Sequence, residues 1–226
     1  MLGSSTEYTT RDGENFSGYL TKPNGRGPFP GILIITAIFG VDDEMVELAD
    51  AWANDGFIVS VPDIFWRQVS GPTADMDVAK GRMDSFDPDQ GMRDIEDLLE
   101  DLRSRPECNG KRGILGFCFG GRYVHLSAAR LDVDAGASFH GAGIGMHLDE
   151  TSNIACPISH HFGADDPVVP MDEVSAIKEA YGKISNTDIV VYPDVGHNFS
   201  MPYKAGYDEN VANSSRSIAL RIFKSM

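Results

Sequence analysis

Long apolar runs are missing from this chain of 226 residues. No stretch of about 18 apolar residues occurs, so no segment reads as a membrane span. Basic residues are also scarce: 19 Lys and Arg stand against 34 Asp and Glu, a formal net charge of −15, and the pI is near 4.6. That balance argues against nucleic acid and anionic membrane surfaces as partners, and serves solubility. Cysteine is limited to Cys108, Cys118 and Cys156. An odd number at irregular spacing does not make a disulfide framework. No pair has the Cys-x-x-Cys spacing of a thiolate zinc site or a thioredoxin-like centre. Residues 1–13 lack the apolar core of a signal peptide, so a reduced, cytoplasmic setting is expected. Internal repeats, low-complexity tracts and splitting linkers are absent, so residues 1–226 read as one domain. The oligomeric state leaves no mark in the sequence.

What is present is alternation. Residues 31–36 are almost wholly apolar, as a strand buried on both faces should be. Asp42 then stands as a helix N-cap, Met45, Leu48, Ala49 and Trp52 recur at helical spacing, and Gly56 marks the stop. A second buried strand covers 57–61. Residues 65–87 are polar, with more Asp and Met than periodic signal, and read as an excursion that forms part of a pocket wall. Pro88 opens a helix with Met92, Ile95, Leu98, Leu99 and Leu102 on one side. Strands are then expected at 112–115, 135–139, 158–162 and 188–192, with helices at 119–131, at 171–181 and at the C-terminus. The pattern predicts an α/β fold with a mostly parallel central sheet and helices on both faces, and ligands beyond the carboxyl ends of the strands.

The most informative segment is Gly116-Phe117-Cys118-Phe119-Gly120-Gly121, between a predicted strand and a predicted helix. A nucleophile elbow needs a sharp turn there, with small residues two before and two after the nucleophile. Gly116 and Gly120 occupy those places around Cys118. The turn would put Cys118 at a helix N-terminus, whose dipole favours a thiolate, and aim the Phe119 N–H at a developing oxyanion. The segment lacks both the P-loop and the Rossmann glycine spacing. The plain alternative is a buried structural cysteine.

A thiol nucleophile needs a base, and the base needs an orienting acid. In a fold of this kind the chain order is nucleophile, acid, histidine. Asp166 follows the strand at 158–162, with Asp165 as its rival. His197 lies in a loop after the strand at 188–192. The other histidines fit less well. His125 falls within a helix, His140 ends a strand and could line the site, and His147 sits in a polar loop. His160 and His161 are adjacent in a strand and point to opposite faces, so they cannot chelate one ion together. A metal held by one of them with Asp165 stays open as a minor alternative; the main reading needs no metal and no cofactor.

These residues resemble the dienelactone hydrolase family of α/β-hydrolases. The likeness covers most of the chain and rests on Ile38-Phe39-Gly40-Val41, Pro62-Asp63, the 116–121 turn, Gly163 to Asp166, and Gly196-His197-Asn198-Phe199, in family order and spacing. It implies a Cys118–His197–Asp166 triad and an oxyanion hole from the backbone N–H groups of Ile38 and Phe119. The departures also carry information. The family's best-known members have a glutamate before Ile-Phe-Gly; this chain has Ala37. Their substrate-carboxylate arginines fall at Met201 and, in gap-free register, at Met76, although Arg67 or Arg82 could substitute. Such a pocket should not favour an anionic lactone. Apolar walls could come from Phe39, Trp66, Phe119 and Phe199. The expected activity is covalent hydrolysis of activated esters or lactones, with neutral aryl phosphotriesters as further small-molecule substrates. Acyl transfer or thioester hydrolysis would use the same triad. A non-catalytic, ligand-sensing protein is the alternative of a different class.

Overall fold

The computed structural model describes residues 2–226, which divide into two compact units, one up to Gly113 and one from Ile114 onward.

In the first unit, β1 (Ser4–Thr9) and β2 (Asn15–Thr21) form an antiparallel hairpin. β2 pairs antiparallel with β4 (Ile58–Pro62), and β4 pairs parallel with β3 (Phe29–Ile35). Ile32 to Ile35 and Val59 are fully buried, which suits strands covered on both faces. α1 (Asp43–Asn54) packs on β4, and α3 (Pro88–Ser104) on β3. The Asp42 side chain accepts the Met45 N–H at 3.0 Å and caps α1, and Pro88 opens α3 behind the cap of Asp87.

The hairpin is not visible in the sequence pattern. Ser4–Thr9 has one wet face, and only Tyr8 of its residues is buried. A short helix, α2 (Met76–Asp84), also lies inside the excursion at 65–87. Its buried residues are Ala79 and Arg82, too few and too mixed to give an amphipathic stripe.

The second unit follows the expected alternation. Its strand order is β5-β6-β7-β8, from β5 (Cys108–Phe117, which begins in the first unit), β6 (Ala135–Phe139), β7 (Ile158–Gly163) and β8 (Thr187–Tyr192). β6 pairs parallel with β7, and β7 with β8. α4 (Phe119–Arg130) covers β6, and α6 (Glu209–Phe223) lies across β6 and β7. α5 (Met171–Tyr181) packs on a 3-10 segment, Ile144–Asn153, where only a polar loop was expected. Among the described residues no helix is long and apolar enough to cross a membrane.

Candidate active site

Four side chains of the second unit stand just past the carboxyl ends of its strands: Cys118 after β5, His140 after β6, Asp166 after β7 and His197 after β8. Cys118 has φ +50° and ψ −112°, a conformation that costs a non-glycine residue about 1–3 kcal/mol. Neighbouring backbone holds it there. Its N–H donates to the Phe139 carbonyl at 3.0 Å, and its own carbonyl accepts the N–H groups of Gly121 and Ala142, each at 3.0 Å. The close turn explains Gly116, because a Cβ there would collide with the Gly120 carbonyl. Phe119 begins α4, so Cys118 occupies the helix N-cap position.

Asp166 is pinned before it meets the histidine. Its Oδ1 accepts the Val168 N–H at 2.7 Å and the Val169 N–H at 3.2 Å, while Oδ2 accepts His197 Nδ1–H at 2.7 Å. The Asp166 side chain is fully buried and that of His197 is 12% exposed. Of the two adjacent carboxylates, Asp166 is the one that meets the ring; Asp165 uses its backbone N–H on the Val195 carbonyl at 3.0 Å. Gly163 lets the two loops approach, since a Cβ at this position would collide with the Val195 carbonyl.

Burial pulls the pKa of His197 down, but the Asp166 hydrogen bond and the nearby Cys118 thiol outweigh it, so the pKa is raised to about 9. Nε2 is buried and makes no geometrically complete hydrogen bond. The Cys118 thiol is nonetheless near enough to act on the ring's titration.

His147 is partly exposed, with Nδ1 3.7 Å from Glu150, and three other histidines are buried away from His197. His125 donates Nε2–H to the His147 carbonyl at 2.9 Å, which leaves Nδ1 to accept from the Tyr181 hydroxyl at 2.6 Å. His161 bridges Tyr192 and Ser159, and burial depresses its pKa to about 3. Burial keeps His160 neutral as well. Among the described residues no group of three or more His, Cys, Asp or Glu side chains is arranged to hold a metal ion.

The sequence profile of the dienelactone hydrolase family matches residues 16–226. The chain belongs to that family. It is 29% identical over 218 residues to a carboxymethylenebutenolidase of Pseudomonas putida, covering 94% of this chain and 92% of that protein. It is 29% identical over 233 residues to carboxymethylenebutenolidase 1 of Cupriavidus pinatubonensis, covering 99% of each. Among solved structures, a dienelactone hydrolase-like promiscuous phosphotriesterase from metagenomic libraries matches with a TM-score of 0.86 at 22% identity, over 100% of this chain and 99% of that one. The dienelactone hydrolase of Anabaena variabilis matches with a TM-score of 0.73 at 14% identity, again over 100% and 99%. At such identities the structures establish the fold, which is that of an α/β-hydrolase. Membership makes this chain a hydrolase.

Within that family frame, the two arginines left open by the sequence are engaged inside the first unit. Arg67 reaches Asp94 through Nε and Nη2, at 3.0 and 3.1 Å, and Glu14 through Nη1 at 2.5 Å; it also lies over the Trp66 ring at 4.0 Å. Arg82 is buried. It donates to the Ile38 carbonyl from Nε and Nη2, at 2.9 and 2.6 Å, and from Nη1 to the carbonyls of Val69 and Gly71. Burial lowers the Arg82 pKa and the Asp63 carboxylate counters it. Ala37, whose carbonyl accepts the Gly40 N–H at 3.2 Å, lies in the loop that Arg82 fixes. Phe39 is half-buried there. Trp66 stacks on Phe16 and donates to Asp94 at 3.2 Å, so its ring is committed to packing. Met76 is exposed at the start of α2. In the second unit Phe119, Phe199 and Met201 are buried.

His140 Nε2 lies 3.0 Å from Ser200 Oγ; the sequence pattern passes over Ser200 and gives His140 no more than a place in the lining. The signal for His140 was its position: it directly follows a strand, as Cys118 does.

Proposed function

We propose that this chain, acting as one hydrolase domain, hydrolyses activated, neutral carboxylic esters or lactones through a thioester on Cys118. The observation that carries the reading is Asp166 fixed by two backbone N–H groups and bonded to His197, with Cys118 held at a strained strand-to-helix turn and influencing that same histidine. The Cys118 sulfur attacks the acyl carbon. The carbon–oxygen bond to the leaving group breaks, and the His197 imidazolium gives that oxygen its proton. Neutral His197 then takes a proton from water as the hydroxide adds to the thioester. The carbon–sulfur bond breaks, and the acid leaves with Cys118 again a thiolate beside the imidazolium. In this reading the backbone N–H groups of Ile38 and Phe119 receive the oxyanion, as the family resemblance implies.

The engaged state of Arg67 and Arg82, together with Met at positions 76 and 201, supports a preference for neutral substrates over the carboxylate-bearing lactone. A neutral aryl phosphotriester is a second substrate class, because its P=O oxygen could use the same donors. The test is kcat/KM for a p-nitrophenyl ester, a dienelactone and an aryl phosphotriester, each with wild type and Cys118→Ala. The expected result is that the ester or the phosphotriester leads and the variant is inactive. Full activity in Cys118→Ala would overturn the covalent mechanism. A lead for the dienelactone would mean that other residues bind its carboxylate. Acceleration by added alcohol or thiol, with formation of the exchanged ester, would show acyl transfer.

A further inference from the structure

Residues 139–142 frame the elbow from both sides. The Phe139 carbonyl accepts the Cys118 N–H, and the Ala142 N–H donates to the Cys118 carbonyl. His140 lies between these anchors in the left-handed region, at φ +42°, with its own N–H on the His161 carbonyl at 2.7 Å. A non-glycine residue keeps that conformation only where its surroundings over-determine it. The ring is 1% exposed. Its centroid is 4.7 Å from that of His197 at an interplanar angle of 60°, and it meets Phe199 edge to face at 5.6 Å. Nε2 lies 3.0 Å from Ser200 Oγ, three residues past His197, and Nδ1 is buried with no partner among the described residues.

We propose that His140 is a positioning residue: its buried ring and its bond to Ser200 fix the His197 loop against the Cys118 elbow. This rests on the reading of Cys118 and His197 as the reactive pair. One residue thereby joins the elbow, through the 139–142 anchors, to β7 through its backbone and to the base loop through its side chain. The charged and titratable groups involved are few: Asp166 and Cys118 act at His197, and His197 and His161 at His140. Burial, reinforced by the charge of His197, keeps His140 neutral. Of the two adjacent rings, His197 is the one that carries a second N–H. The bond that this ring makes joins Nε2 of His140 to Ser200 Oγ. Phenylalanine would keep the ring but lose this bond.

The experiment compares His140→Phe, His140→Gln and Ser200→Ala with wild type and Cys118→Ala, using a p-nitrophenyl ester. It measures kcat and KM, the pH profile of kcat/KM, iodoacetamide alkylation of Cys118, and folding by circular dichroism. His140→Phe should lose roughly 10- to 100-fold in kcat with little change in KM, the scale of a misplaced catalytic group. Its alkaline pH limb and alkylation rate should shift together. Ser200→Ala should move in the same direction by less, and His140→Gln, whose amide can still reach Ser200, should retain more activity than His140→Phe. Wild-type kcat and an unmoved pH limb in both His140→Phe and Ser200→Ala would overturn the inference. If His140→Phe does not fold, Ser200→Ala decides alone by the same criterion. Retained turnover in Cys118→Ala would instead show that the underlying reading fails. An inactive Cys118→Ala beside wild-type behaviour in the other variants removes only the role of His140.

Discussion

In the proposed mechanism His197 carries both the proton and the geometry of the reaction, so its charge sets the sharpest expectation for a single residue. Burial opposes its imidazolium; Asp166 and Cys118 favour it more, and the pKa of about 9 leaves the ring protonated at neutral pH. If the imidazolium is the acid that releases the leaving group, kcat/KM should fall as pH rises through about 9. Alkylation of Cys118 by iodoacetamide needs no such acid and should not fall in that range. A parallel decline of both rates would contradict the assignment. The same shift acts on stability. A histidine whose folded pKa lies above its ordinary value of 6.5 contributes stability that is fully present below 6.5 and is lost as pH rises through about 9. Asp166→Asn should remove the main support of the imidazolium. We expect kcat to fall by about 10²- to 10⁴-fold, from a wrongly held tautomer, and the alkaline limb to move to lower pH, as read from a pH–rate profile.

The elements are stable for reasons that single substitutions can expose. Gly116→Ala would place a methyl group against the Gly120 carbonyl, where backbone must move. A loss of about 1–3 kcal/mol is expected by urea denaturation, with turnover falling as the elbow shifts. Asp42→Ala removes the cap of α1 and should cost about 1 kcal/mol without altering turnover. At this scale the sequence was legible wherever periodicity or punctuation was strong. The buried strands β3 and β4, the Asp42 cap, Pro88 at the start of α3 and the whole alternation from β5 to β8 could be read directly. The β1–β2 hairpin could not, because a strand with one wet face and mostly polar residues has the composition of a loop. α2 was hidden for another reason. Its inward face is built on Arg82, which satisfies three backbone carbonyls, and a buried arginine reads as surface charge. The order nucleophile, acid, histidine singled out Cys118, Asp166 and His197 in the chain. His140 shares with Cys118 a place directly after a strand, but nothing in the sequence pairs it with a serine in a loop; only the 3.0 Å between them does.

For the whole molecule, the dominant fact is the formal charge of −15. A field of that sign repels anionic substrates and leaves neutral ones unsteered. Raising ionic strength should therefore increase kcat/KM for an anionic aryl ester and leave a neutral one nearly unchanged, because salt screens interactions beyond a Debye length of about 8–10 Å. A rate for the anionic ester that falls with salt would point to a cationic anchor in the site. In the proposed reading the engaged arginines and the overall charge favour the same class of substrate, on different length scales.

The central claim, a covalent acyl group on Cys118, is tested most directly by mixing the protein with excess p-nitrophenyl ester, quenching with acid within the first turnovers, and locating the added mass by peptide mass spectrometry. Wild type should carry one acyl group on the Cys118 peptide, His197→Ala a larger amount if deacylation is the slower step left to it, and Cys118→Ala none. Turnover in wild type with no acyl group on Cys118 at any quench time, and with Cys118→Ala equally active, would contradict it.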